Sequence, residues 1–402
     1  MKVLERHLEI NSKYFLLIIE LLKSSGAEAR LVGGAVRDAL LERASADIDI
    51  ATNLTPDRVT ELLTQHDIKV IPTGIKFGTV TAIIKNESFE ITTLRADLDC
   101  DGRHAKVVYS NDFAEDAARR DFTINALSYC PVTNVIYDYF DGVADLEAQK
   151  VIFVGNAEKR IQEDYLRILR FFRFSCRYAN QLDAQALVAC IANKDKLPLL
   201  SGERIKSELD LLLPLAGSAD ILYTMFAVGV LEQILPINNY NKNLHIKALK
   251  VANSFGVTLE LSVIYAVLFS STDISYNKLL ALKFSRTEAR VIMKMLELTK
   301  IGDTTTIITI LKNIWLDEKD CLLYFIYASL TSNDSSLIYD LYNNLNKLKI
   351  PTCPVNGNDL VALGYSGQAL GVALDLIKKT WVESDFLLNR SQLIKLVNNR
   401  EE

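Results

Sequence analysis

Hydrophobic and polar positions follow two regimes along this chain. Before position 145, short apolar alternations of strand type are mixed with helical stretches, whereas after Asn156 helical periodicity alone continues. Residues 1–25 read as an amphipathic helix. A strand over Ala29–Val32, a helix over 36–42 and a strand through DIDIA follow. Thr55-Pro56-Asp57 opens another helix, with threonine as N-cap and proline in the first turn. GTVTAII and SFEITTLR alternate and are rich in β-branched residues. The short polar Lys85-Asn86-Glu87 between them makes the pair a β-hairpin. Farther on, ALVACIANKDKL, ERIKSELDLLL, DILYTMFAVGVLEQIL, LELSVIYAVLF and SQLIKLV all carry helical spacing. The expected class is therefore α+β: a mixed head with a small sheet (1–145), then an all-helical neck (146–215), body (216–300) and tail (301–402).

Composition narrows this only a little. The chain has 402 residues, 49% hydrophobic and 24% charged, which is ordinary for a folded soluble protein. The YFLLIIELL run at 14–22 is too short to span a bilayer and reads as a core-facing helix, so no membrane partner is expected. Cys100, Cys130, Cys176, Cys190, Cys321 and Cys353 form no CxxC pair and no zinc spacing, consistent with reduced thiols and a cytoplasmic protein. The net charge of −5 neither excludes nor requires RNA, because the basic residues are local: Lys159, Arg160, Arg167, Arg170, Arg173 and Arg177 crowd one window.

Chemistry concentrates in LVGGAVRDALLERASADIDIAT, residues 31–52. If Ile48 and Ile50 point into a core, Asp47 and Asp49 share the other face of the strand. Two carboxylates on one rigid face suit Mg²⁺, which takes hard oxygen ligands, keeps waters and bridges to substrate phosphates. Gly33-Gly34, without Cβ atoms, lets the backbone approach a triphosphate. Taken singly, a D-x-D is more commonly a solvated strand edge and a glycine pair a turn; their conjunction in this order is what points to nucleotidyl transfer. Glu90, on the strand expected beside DIDIA, is a third carboxylate available as ligand or general base. Arg119, Arg120 and Asp121 precede FTINAL; arginines suit phosphate oxygens, and Asp121 can accept a ribose hydroxyl. Asp141-Gly142 is a turn signal between the head and the helices.

The order LV–GG–RD–DIDI, with RRDFTINAL at 119–127 and the EDxxR pattern at 163–167, resembles the polymerase-beta-like nucleotidyltransferases. The resemblance is to the class II tRNA nucleotidyltransferase (CCA-adding enzyme) and bacterial poly(A) polymerase family, and it is strong over residues 30–213. It implies a polymerase-beta-like catalytic head and a two-metal Mg²⁺ site on Asp47 and Asp49. It also implies triphosphate and sugar contacts from Gly34, Arg37 and Arg120, and a hinge at Asp141-Gly142. Asp164 and Arg167, i and i+3 on the expected helix, would then be a protein template. A carboxylate only accepts and a guanidinium only donates, a pairing that suits the Watson–Crick edges of cytosine and adenine but not uracil or guanine. Arg170 and Arg173 continue that basic face toward phosphates, while Phe171, Phe172 and Phe174 are expected in the core. GERIKSELDLLL (202–213) matches a further motif of the family, with Glu203 and Arg204 expected to brace the Arg167 helix.

Within the family, the polar segment LRADLDCDGRHAKVVYSNDF (94–113) argues against a CC-only enzyme, and the lack of basic arms argues against a poly(A) polymerase. His7, His66, His104 and His245 are too few for an HD-type phosphohydrolase domain. The expected activity is addition of CCA to tRNA from CTP and ATP, with release of pyrophosphate and no role for DNA. Poly(A) synthesis, CC- or A-addition, transfer to a small molecule and non-catalytic RNA binding are the alternatives.

Overall fold

The computed structural model describes residues 1–10, 12–44, 47–98, 106–254, 259–299 and 352–398. Cys100, His104 and Cys321, part of the 94–113 segment and the first half of the expected tail lie outside the described residues. The chain divides into two compact units, Met1–Leu235 and Pro236–Glu402.

The first unit is built on an eight-stranded mixed sheet. Its strands are β1 (Lys2–Glu5), β2 (Ala29–Val32), β3 (Ile48–Thr52), β4 (Lys69–Gly74), β5 (Thr79–Ile84), β6 (Glu87–Thr93), β9 (Leu127–Cys130) and β10 (Val135–Asp138). A separate hairpin, β7 (Arg95–Leu98) with β8 (Lys106–Tyr109), stands apart from it. The order across the sheet is β1-β10-β9-β2-β3-β6-β5-β4, with β3 and β6 parallel and the other pairings antiparallel. Alternation sorts the faces. Ile50, Val80, Ala82, Phe89 and Ile91 are buried, and the helices Lys13–Ser24 and Pro56–Gln65 pack against each other and the sheet. Asp49, Thr79, Thr81, Glu90 and Thr92, at the intervening positions, stay at least partly open.

One local expectation changes. Residues 1–25 are not one helix: KVLE pairs antiparallel with β10 at the sheet edge, and the helix begins only at Lys13. The break is set by Ser12, whose hydroxyl accepts from the Phe15 amide as an N-cap. FTINAL forms a 3₁₀ turn over Thr123–Asn125 and enters β9 only at Leu127, with Phe122, Ile124, Ala126 and Leu127 all buried. The hairpin of β5 and β6 forms as its alternation predicts, in register from Thr79↔Thr92 to Ile84↔Glu87.

Among the described residues no strand follows Asp138. The helix Leu166–Tyr178 is amphipathic, burying Leu166, Ile168, Leu169, Phe171, Phe172, Phe174 and Tyr178 while its arginines line the other side. Phe122, Phe153, Phe171 and Phe174 form a chain of tilted and stacked rings. Each fully buried ring contributes about 1.5–3 kcal/mol of transfer free energy, which ties the helix to the RRDFT segment. The described part of the second unit is helical, from Lys242–Ser254 to Arg286–Thr299 and, toward the C-terminus, Gly357–Val361, Gly367–Glu383 and Arg390–Asn398. Val355, Leu360, Ile377, Trp381 and Leu393 form the core of that last group. No helix among the described residues is long and apolar enough to cross a membrane.

Candidate active site

The open face of the sheet gathers the acidic residues. Parallel pairing of β3 and β6 sets Asp49 directly beside Glu90, and antiparallel β5 sets Thr81 on Glu90's other side. Neighbours in register share a face, so the Asp49 and Glu90 carboxylates point the same way, and Asp47 joins them two residues before Asp49. The electrostatics record this crowding. Burial, then the charges of Glu90 and Asp47, push Asp49 up to about 6, with Arg120 acting in the opposite sense. Among the described residues no group of three or more acidic, histidine or cysteine side chains is arranged to hold a metal ion. An open site of two hard carboxylates with room for waters and phosphate oxygens fits a divalent cation of the Mg²⁺ kind.

Beside the carboxylates lies the glycine turn. Gly33 has φ +69° and ψ −130°, a conformation that only glycine adopts without strain, and it leads into the helix Gly34–Leu40. A Cβ on Gly33 would stand 2.5 Å from Nη1 of Arg120, so the arginine lies against the glycine backbone. A Cβ on Gly34 would meet Arg37 at 3.3 Å.

The two arginines of RRD are held by Asp116, a buried carboxylate that sequence reasoning passed over. It accepts from Arg119 at 2.6 Å and from Arg120 at 3.1 Å. Burial alone would raise its pKa; the guanidinium groups of Arg120 and Arg119 outweigh that and hold it below the usual carboxylate range. The signal was available, since Asp116 stands three and four residues before its partners on a helical turn. Arg120 Nη1 also donates to the Asn125 carbonyl at 3.3 Å.

Other residues proposed from sequence form a buried polar frame. Arg37, only 6% exposed, donates to Asp38 and to the Asn125 side chain and stacks over Tyr178 at 4.2 Å. Tyr178 donates to Asp38 at 3.0 Å, a pairing across 140 residues that no local pattern reveals. Asp121 accepts from Arg170 at 2.7 Å, from the Asn125 amide at 3.0 Å and from the Phe122 amide at 2.9 Å. Burial would raise Asp121; Arg170 and these hydrogen bonds outweigh it and keep the carboxyl depressed. Arg170 lies 3.6 Å from Glu208, and Arg173 binds Glu208 at 2.6 Å, so the 202–213 motif grips the arginine helix from below.

Asp164 and Arg167 do not share a helix. Asp164, extended at φ −156° and ψ 105°, ends the helix Ala157–Glu163, and the next begins at Leu166. Asp164 pairs with Arg204 at 2.7 Å. Arg167 binds Glu163 at 2.6 Å and donates to the carbonyls of Arg160 and Arg119 at 2.8 and 3.0 Å. The two stay adjacent through the backbone, Arg167 N–H donating to the Asp164 carbonyl at 3.0 Å. At the break the Asp164 carboxylate accepts from the Leu166 amide at 3.1 Å as well as from Arg204, while Arg167 is anchored to the main chain carrying RRD.

At the end of β10, Asp138 is buried and accepts from the amides of Phe140, Gly142 and Val143. Asp141 takes a left-handed conformation at φ 62°, and a Cβ on Gly142 would lie 2.2 Å from the Thr123 carbonyl oxygen. The Asp-Gly turn is therefore packed tightly against the segment that follows RRD.

Comparison with known proteins agrees with this geometry. A family model for the poly A polymerase head domain matches residues 29–152. The mouse (Mus musculus) CCA tRNA nucleotidyltransferase 1, mitochondrial, is 33% identical over 394 residues, covering 94% of this chain and 88% of its own. The CCA-adding enzyme of Lactobacillus johnsonii is 37% identical over 229 residues, 56% of each chain. The crystal structure of the Bacillus stearothermophilus CCA-adding enzyme in complex with CTP superposes with a TM-score of 0.74 at 26% identity, covering 96% of this chain and 98% of that one. With a relative matched along nearly its whole length, and with the head motifs assembled on one sheet face, this chain belongs to the CCA-adding tRNA nucleotidyltransferase family.

Proposed function

We propose that this chain adds CCA to the 3′ end of tRNA from CTP and ATP, releasing pyrophosphate. The observation that carries the reading is the acidic face itself: Asp49 beside Glu90 in register, pushed up to about 6, with Arg120 against Gly33 next to it. Carboxylates held in mutual repulsion are a standing cost in the free protein, and a bound cation relieves it.

Asp47 and Asp49 would hold the two Mg²⁺ ions of this proposal. When bound they would supply activation of the attacking hydroxyl and charge neutralisation at the leaving pyrophosphate. Glu90 completes the face as a further ligand or as acceptor of the hydroxyl proton. Gly33 and Gly34 leave room for the triphosphate, and Arg120 donates to it. Arg37, Asp121, Arg170 and Arg173 act through the buried frame that fixes Arg120 and the arginine helix. Asp164 and Arg167 read the base edge, each giving up part of its present partnership to do so. Base reading belongs to the neck, residues 146–215, and tRNA binding by shape and phosphate contacts to the tail, 301–402, with 216–300 as the helical body between them. Cytoplasmic residence is part of the proposal and rests on the cysteine pattern; the mouse relative carries a mitochondrial name.

The test is incorporation with Mg²⁺ on a tRNA transcript ending at the discriminator base, given CTP, ATP or both, with products resolved at single-nucleotide length. Growth that stops at C-C-A is the expected result. A stop at C-C with ATP present would make it a CC-adding enzyme, and extension only of a C-C-ended transcript an A-adding one. A ladder from ATP alone would make it a poly(A) polymerase. No extension on any RNA would leave a binding protein on a nucleotidyltransferase scaffold.

A further inference from the structure

The open face of the sheet does not end at Glu90. Across β5 and β6 it continues as a row of hydroxyls: Thr79 and Thr92 are paired at 3.0 Å, and Thr81 meets Thr73 at 2.7 Å. The row runs out at the 3₁₀ turn Ile75–Phe77, where Ile75 is 47% and Phe77 64% exposed. Tyr109, 46% exposed, lies over the same corner: a Cβ on Gly78 would stand 3.1 Å from its ring. Arg95 is Tyr109's register partner on the β7–β8 hairpin and donates to the Phe77 carbonyl at 2.8 Å. Its charge is felt at Arg119, and Lys76 adds an exposed cation beside the half-buried Arg95. Two open aromatic rings, bordered by cations and joined to the carboxylates by hydroxyls, form a surface with the chemistry of single-stranded RNA recognition.

Sheet order decides which RNA segment fits. The glycine turn and Arg120 lie on the β2 side of Asp49, and the aromatic corner lies beyond β6 and β5 on the other side. The triphosphate and the corner are thus separated by the carboxylates, as the two substrates of a displacement must be. From Thr81, opposite Glu90, back to Thr79 is about 7 Å at a strand's rise, and the 3₁₀ turn to Phe77 adds about 4 Å at its shorter rise. Stacked nucleotides advance about 3.4 Å each, so Phe77 is met within roughly the last four nucleotides of an RNA whose end reaches Glu90.

We propose that Phe77 and Tyr109, with Thr79, Thr81 and Thr92 leading from them to Glu90, seat the unpaired 3′-terminal nucleotides of the acceptor RNA, one base stacking on the aromatic pair. This rests on the reading of the chain as a nucleotidyltransferase acting on RNA, and it assigns Phe77 and Tyr109 to the acceptor and not to the incoming nucleotide.

The experiment uses the full chain and a tRNA transcript ending in C-C with 2-aminopurine at the discriminator position, titrated without nucleoside triphosphate. Wild type quenches the probe on binding. Phe77→Ala, alone or with Tyr109→Ala, loses most of the quench and weakens acceptor binding about 5- to 150-fold, the range for one lost base–aromatic stack. Phe77→Trp restores both, which separates stacking from folding, and KM for ATP stays unchanged. An unquenched probe on wild type, an equal quench in the double variant, or a rise in KM for ATP in place of the acceptor effect would each overturn the proposal. Because the titration needs no turnover, it decides the seat even if the wild-type chain adds no nucleotide.

Discussion

Asp49→Asn should make the metal-free protein more stable while abolishing incorporation, and the gain should depend on pH in a defined direction. Asp49 is pushed up to about 6 from an ordinary 3.8, first by burial and then by Glu90 and Asp47. A carboxyl whose folded pKa exceeds its unfolded value binds its proton more tightly in the native state. Its contribution to stability is therefore fully present below about 3.8 and is lost as pH rises through about 6. The shift is about two pK units, or at most about 3 kcal/mol at 1.36 kcal/mol each; solvent reaching the half-open face lowers this to about 1–3 kcal/mol. Asparagine has the same shape without the charge, so the variant escapes the loss. Urea unfolding of chelator-treated wild type and variant across pH 4 to 8 checks this. The difference should be near zero at the acid end and reach its plateau above about pH 7. Adding Mg²⁺ should then stabilise wild type and leave the variant nearly unmoved, since a ligand that binds only the native state stabilises it by mass action. A flat difference across pH, or an Asn variant less stable than wild type at pH 8, would refute the account of the acidic face. Glu90→Gln should capture part of the same gain, and the double variant should gain less than the sum, because the two carboxylates share one repulsion.

Arg167→Ala should lower the preference for CTP over UTP by about 5- to 150-fold, the value of one good bidentate base contact. The ratio of the two kcat/KM values is insensitive to lost folding, and an unchanged ratio would sink the template role. Gly142→Ala should destabilise the first unit by about 1–3 kcal/mol or more, because its methyl would lie 2.2 Å from a backbone oxygen that cannot move independently. A thermal melt at wild-type temperature would show that the Asp-Gly turn is looser than its packing implies.

The head was largely legible because its signals are local. Alternation around Ile50 and Phe89 sets which residues of each strand are buried, so the shared face of Asp47 and Asp49 follows from period two alone. The aromatic positions of FFRF read as core and are buried. The strand over residues 2–5 was missed because Lys-Val-Leu-Glu carries no period-two alternation and stands next to a strong helix pattern; it becomes a strand only because β10 offers an open edge. The pair at 164 and 167 was placed on one helix by spacing, and nothing local announced the break between Glu163 and Leu166.

By itself, then, the sequence determined the strands at Ala29–Val32 and Ile48–Thr52, the β5–β6 hairpin, the polar face that carries the carboxylates, the glycine turn and the basic helix. Periodicity and backbone freedom are properties of neighbours in the chain. The tertiary structure alone decided which charges meet. Parallel register put Glu90 beside Asp49; Arg170 reached Asp121 across 49 residues, and Arg204 reached Asp164 across 40. Ion pairs and pKa shifts depend on distance in space and on burial, and both are set by how strands cross over and helices pack.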